Sequence, residues 1–166
     1  HWRVVSNTPT PQPEPVRDGV ARWRFPATKR ISTYITAVVA GEYHEVRDSY
    51  TGRNGTYELG HYCRQSVVDG LDHEWISRTT KAGFDFFEEH FGPYPFEKYD
   101  QLWVPEYNMG AMENAGCVTI NDEYLPTSRL PKSIQEYRAS VILHELAHMW
   151  FGNLVTMQWW EDLWLN

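Results

Sequence analysis

Apolar and polar positions follow a short, strand-like pattern through the first 68 residues and then change to a helical period. Residues 2–5, 21–25, 32–46 and 56–68 are rich in Val, Ile, Thr and aromatic side chains and read as strands. A proline-rich stretch (Pro9, Pro11, Pro13, Pro15) separates the first two, and Gly52-Arg53-Asn54-Gly55 carries an Asn-Gly pair of the hairpin type. Residues 1–68 therefore read as all-β. From Asp72, a suitable N-cap, the apolar residues Trp75, Ile76, Phe86 and Phe87, with Thr79, recur at helical spacing until Gly92-Pro93. A domain boundary is placed at 68–72. Residues 100–105 and 117–121 read as short strands flanking a glycine-containing segment at 108–114, where a hairpin or sheet edge is expected. Ser133-Ile134-Gln135-Glu136 has the form of a capping box and opens a further helix that Gly152 should end. The fold class is α+β, with residues 69–166 forming the second unit.

That last helix carries the chemistry. Between Ala139 and Phe151 every residue is apolar except Ser140, His144, Glu145 and His148, a composition that predicts burial on nearly all sides. At 3.6 residues per turn His144, His148 and Glu145 lie at about 0°, 40° and 100° around the axis, so all three project from one arc. Burying two unpaired imidazoles and a carboxylate costs several kcal/mol each, roughly, unless the arc faces a metal, a polar network or a water-filled cleft. Histidines four residues apart converge on one ion, and a Glu beside the first reaches a metal-bound water without being a ligand; this is the spacing of zinc peptidases. The expected chemistry is hydrolysis with Zn2+ held by His144 and His148 and Glu145 as general base. The longer metzincin pattern requires Gly and His where this chain has Phe151 and Leu154, which excludes that class. A third ligand is still required, and the only acids after the motif are Glu161 and Asp162.

Composition narrows the partners. Twenty-two acidic against fifteen basic residues give a net charge of −7, and no Lys/Arg cluster is available to follow phosphates or an anionic membrane, so neither nucleic acid nor membrane is an expected partner. No apolar run approaches the roughly 20 residues of a membrane span. Cys63 and Cys117, in no paired spacing, read as reduced and packed. Trp150, Trp159, Trp160 and Trp164 read as packing around the motif helix, Asn153 as a loop or cap residue, and His1, His44, His61, His73 and His90 as surface or strand histidines.

Three segments together carry a family resemblance: Gly110-Ala111-Met112-Glu113-Asn114, the run from His144 to Asn153, and the run from Trp159 to Asn166. In this order they closely resemble the aminopeptidase N (alanyl aminopeptidase) family of zinc metallopeptidases, of the gluzincin type. The opening Trp2-Arg3-Val4-Val5-Ser6-Asn7 and Ile31-Ser32-Thr33-Tyr34 are also similar to that family. The resemblance implies that residues 1–68 are the end of an N-terminal β domain and 69–166 the first half of a thermolysin-like catalytic domain. It implies one catalytic Zn2+, peptides with a free N-terminus as substrates, and Glu113 as partner of their α-amino group. Gly110 would let a peptide backbone approach, while Ala111, Met112 and Asn114 line or shape the first side-chain pocket.

The family places its third ligand, a Glu, after eighteen residues beyond the second His; Met149 to Asn166 are those eighteen. The expectation is therefore that these 166 residues by themselves bind zinc weakly and turn over little. Alternatives are a zinc endopeptidase and a non-catalytic peptide-binding fragment. Met149 and the 115–119 segment have a bacterial, cytosolic flavour, which points to a cytoplasmic location.

Overall fold

The computed structural model describes residues 2–166 and is a mixed α+β structure. The opening strand β1 (Arg3–Ser6) pairs antiparallel with β4 (Val38–Gly41), and between them β2 (Glu14–Arg17) and β3 (Val20–Arg22) form a separate, wholly exposed ribbon. Pro15 is tolerated in β2 because both strands of a two-stranded ribbon are edges. The expected strand over 32–46 is broken. Thr33–Ile35 is a single 3-10 turn that buries Ile35, and Gly41 ends β4 before the next strand begins at Tyr43.

The main sheet has five strands, in the spatial order Tyr43–Gly52, Gly55–Arg64, Lys98–Val104, Cys117–Asn121 and Ala111–Met112. β5 (Tyr43–Gly52) and β6 (Gly55–Arg64) make a full hairpin, closed by Gly52 opposite Gly55. In the turn it is Gly55 that takes positive φ, at 138°, while Arg53 and Asn54 keep ordinary φ. β6 is shorter than expected: residues 65–70 leave the sheet as a 3-10 turn and lead into α1 (His73–Phe91). Asp72 caps α1 by accepting from the Trp75 N–H, and Gly92 follows its last turn at φ 89°, as the pattern of start and stop residues predicts.

Beyond α1 comes β7 (Lys98–Val104), parallel to β6, and β9 (Cys117–Asn121), parallel to β7; the short β8 (Ala111–Met112) is an antiparallel edge beside β9. All seven residues of β7 are buried, as expected of a parallel strand covered on both faces. Strand pairing thus runs straight across residues 68–72. β5 and β6 belong to the same sheet as β7, β9 and β8.

The second helix, α2 (Lys132–Ala147), lies against α1. Gly83 of α1 permits the approach: a Cβ there would stand 2.5 Å from Leu143 and 2.9 Å from Leu146. The capping box does not form. α2 starts one residue before Ser133, behind Pro131, whose carbonyl accepts from the Ile134 and Gln135 N–H groups, so Ser133 is already inside the helix and cannot take the extended cap conformation. Nor does α2 reach Gly152 or bury all its faces: it ends at Ala147 and buries Arg138, Ile142, Glu145 and Leu146 on one side.

An aromatic core holds this layer to the sheet. Phe84 packs against Tyr50, Tyr57, Tyr94, Tyr99 and Trp150, with ring centroids 4.7–6.5 Å apart. Trp150 is the one of the four late tryptophans that joins this core; Trp159, Trp160 and Trp164 are 66%, 50% and 78% exposed, since the 3-10 turn Trp160–Leu165 buries none of its residues.

Candidate metal and peptide site

Two buried polar networks fix the segment that precedes β9. Lys98 donates from Nζ to Asp100 at 2.7 Å and to the Gly116 carbonyl at 2.8 Å, and Arg47 holds the other Asp100 oxygen at 3.1 Å. From the opposite end of the chain, Asn7 donates from Nδ2 to the carbonyls of Ile35 and Ala115, both at 2.9 Å, and accepts from the Ala37 N–H at 3.0 Å. Ala115 and Gly116 are thereby locked between the start of the chain and the middle of the sheet. Buried charge and amide groups of this kind are costly to leave unmatched, so the geometry is tightly determined.

The end of α2 faces that segment. His144 and Glu145 lie in its last turn, and His148 caps it with helical backbone, its N–H still bonded to the His144 carbonyl. The two imidazoles meet edge to face, with Nε2 to Nε2 at 3.0 Å. His148 Nδ1 is 3.0 Å from the Phe151 carbonyl. A carbonyl can only accept, so Nδ1 carries the proton and Nε2 of His148 presents its lone pair to the site. Burial first, and His148 second, lower the pKa of His144, with Glu113 opposing.

Glu145 is 5% exposed and its Oε2 has no hydrogen-bond partner. Burial above all, and then the Glu113 carboxylate, push its pKa up to about 8. Glu113, just past β8, is also buried; its Oε1 accepts from Asn166 Nδ2 at 2.9 Å. One ligand atom each from Glu113, Glu145 and His148 lie within 4.8 Å of one another. Two carboxylates and an imidazole lone pair facing one another form a donor set short of positive charge. The residues fit a cation: two nitrogens bound tetrahedrally at 2.0–2.1 Å stand roughly 3.3 Å apart, a few tenths of an ångström from the His144–His148 spacing.

Other residues expected from sequence are placed differently. Asn114 is buried and donates from Nδ2 to Thr119 Oγ1 at 3.1 Å, a contact that ties it to β9. Ala111 and Met112 form the half-buried edge strand β8. Gly110 is exposed at the surface, and the neighbour that a side chain there would meet first is Tyr124, whose hydroxyl would be 3.0 Å from its Cβ. Glu161 and Asp162 are exposed in the last 3-10 turn and do not join the cluster.

Sequence reasoning gave Tyr34 no site role, Gly152 only that of a helix stop and Asn153 only that of a loop or cap residue. Tyr34 donates to the Gly152 carbonyl at 3.4 Å and accepts from Asn166 Nδ2 at 3.0 Å, and burial followed by Glu113 raises its pKa. Gly152 turns the chain at φ 117°, where a Cβ would press on Asn166 and, at 3.2 Å, on His148 Nδ1. Asn153 donates from Nδ2 to the Glu113 carbonyl at 2.8 Å. Gly152 and Asn153 carried local signals, a stop glycine and a polar residue directly after the apolar run behind the motif. Among the described residues no helix is long and apolar enough to cross a membrane.

Residues 75–166, more than half of the chain, match the Peptidase family M1 domain. The chain is 54% identical over 166 residues to aminopeptidase N of Streptomyces lividans, covering 99% of this chain and 19% of that protein. It is 38% identical over 158 residues to aminopeptidase N of Mus musculus, with 93% and 16% covered, and 34% identical over 169 residues to glutamyl aminopeptidase of Sus scrofa, with 99% and 17% covered. It therefore spans less than a fifth of the length of these relatives. The match over α1, the sheet edge and the motif helix is to one family, and the chain belongs to peptidase family M1.

Proposed function

We propose that this chain forms the metal-binding and substrate-amine part of the active site of a zinc aminopeptidase. The observation that carries the reading is the convergence of His144 and His148 at 3.0 Å beside a cluster in which Glu113, Glu145 and His148 come within 4.8 Å. His144 and His148 would hold the ion through Nε2. Zinc bound there supplies Lewis-acid polarisation of the scissile carbonyl and makes a water acidic enough to lose a proton near neutral pH.

The chain's own groups do the rest. Glu145, buried and with an open oxygen, takes the proton from the attacking water and passes it to the leaving amine. Glu113 pairs with the substrate's α-ammonium and so selects chain ends. The open edge of β8 offers backbone groups to an extended peptide, and the Gly110–Tyr124 corner bounds that edge. Relatives named aminopeptidase N and glutamyl aminopeptidase support the same class.

N-acetylation of a peptide substrate separates this reading from an endopeptidase. In the full-length protein that carries this chain, blocking the amine is expected to abolish cleavage, because Glu113 then faces a neutral amide. Cleavage of the blocked peptide at the rate of the free one would overturn the assignment.

A further inference from the structure

We infer that Asn153 is a positioning residue: it sets the location of the amine-pairing carboxylate relative to the metal-binding histidines by bonding to both sides of the site at once. Its backbone N–H donates to the His148 carbonyl at 3.0 Å, and its side-chain Nδ2 donates to the Glu113 carbonyl at 2.8 Å. A single residue thus joins the end of the motif helix to a segment forty positions earlier. Asn153 is 4% exposed, so no water replaces either bond. The orientation of its amide is settled by the Glu113 carbonyl, which can only accept, and the amide is further held against Met149 Sδ at 3.6 Å.

The surrounding loop is shaped for this task. Phe151 offers its carbonyl to His148 Nδ1, Gly152 reverses the chain at φ 117°, and Asn153 then points back to Glu113. Thr156 closes the turn by donating from Oγ1 to the Asn153 carbonyl at 2.9 Å. Three successive residues therefore orient one histidine, permit the reversal and grip the backbone of the residue that carries the recognition carboxylate. Nothing else among the hydrogen bonds of the described residues links Glu113 directly to the residues that follow His148 except the side-chain contact from Asn166.

The inference rests on Glu113 pairing with the substrate amine, and the test separates the two ideas. In the full-length protein, Asn153→Asp keeps the shape but turns a donor into an acceptor facing the Glu113 carbonyl. The expected result is a rise of about tenfold or more in KM for an aminoacyl anilide, with kcat within about threefold and zinc content unchanged. In a Glu113→Gln background the same substitution is expected to change KM by less than about twofold, because its effect passes through Glu113. Asn153→Ala removes the bond without burying a charge and replaces the Asp variant if that one does not fold. A KM unchanged in the native background, or an undiminished effect in the Glu113→Gln background, would overturn the positioning role. A Glu113→Gln protein with native KM would overturn the amine assignment beneath it.

Discussion

Glu88 and Glu145 are both buried carboxylates, each in the last turn of its helix, and they are treated in opposite ways. Glu88, 2% exposed, is surrounded by donors: Oε2 accepts from the Arg53 N–H at 2.9 Å and the Tyr50 hydroxyl at 3.4 Å, and Oε1 accepts from the Tyr94 N–H at 2.8 Å. It fastens the β5–β6 turn to the end of α1. Glu145 has an oxygen with no partner, a second carboxylate nearby, and a pKa pushed up to about 8. A carboxylate that serves the fold is saturated with hydrogen bonds. One left with an open oxygen beside two convergent imidazoles is what the proposed site calls for.

Substitution should separate these roles. Glu88→Ala strips partners from one buried and one part-buried backbone N–H group and leaves a cavity, which should cost about 3–5 kcal/mol in chemical denaturation. Glu145→Gln relieves repulsion with Glu113 and is expected to leave the denaturation midpoint unchanged or raised. Equal losses for both variants would remove the contrast.

His61 sharpens the comparison, because it too has an unpartnered buried atom, Nδ1, yet lies between sheet and helix with its Nε2 2.8 Å from Ser77 Oγ. Burial, with smaller contributions from His73 and Lys81 and against the pull of Asp48, lowers its pKa from 6.5 to about 4. Folded His61 is therefore neutral where the unfolded chain takes up a proton. Stability is unaffected by this group above pH 6.5 or so and falls by about 3 kcal/mol in all as the pH drops from there to about 4. Denaturation at pH 7.5 and 4.5 should show this loss, and His61→Gln should reduce it. An orphan atom in the core thus carries a pH penalty without forming a site.

The smallest expected effect concerns the start of α2. Ser133 makes no capping bond, so Ser133→Ala should shift stability by less than about 0.5 kcal/mol. A loss near 1 kcal/mol or more, the order of a real cap, would restore the capping box.

Legibility in the sequence followed the range of the interaction. α1 was readable at both ends because Asp72 and Gly92 act within one turn, and His144, Glu145 and His148 share a helix whose geometry fixes their arc. The joining of β6 to β7 was not readable, since parallel pairing through a helix leaves no mark at residues 68–72, where composition does change. Ser133–Glu136 shows the opposite failure: a valid local pattern overruled by Pro131 two residues earlier. Glu113, Asn153 and Tyr34 come together from 40 residues or more apart by contacts of packed loops, which no local period encodes.

The most direct test of the site is zinc content and peptide turnover measured together on the full-length protein and its Glu145→Gln variant. Zinc retained at the native level with turnover lowered by about 10²–10⁴-fold is the predicted result, since a general base is lost and the ligands remain. Native turnover in the variant would contradict the role of Glu145, and zinc that remains after both His144→Ala and His148→Ala would contradict the metal site itself.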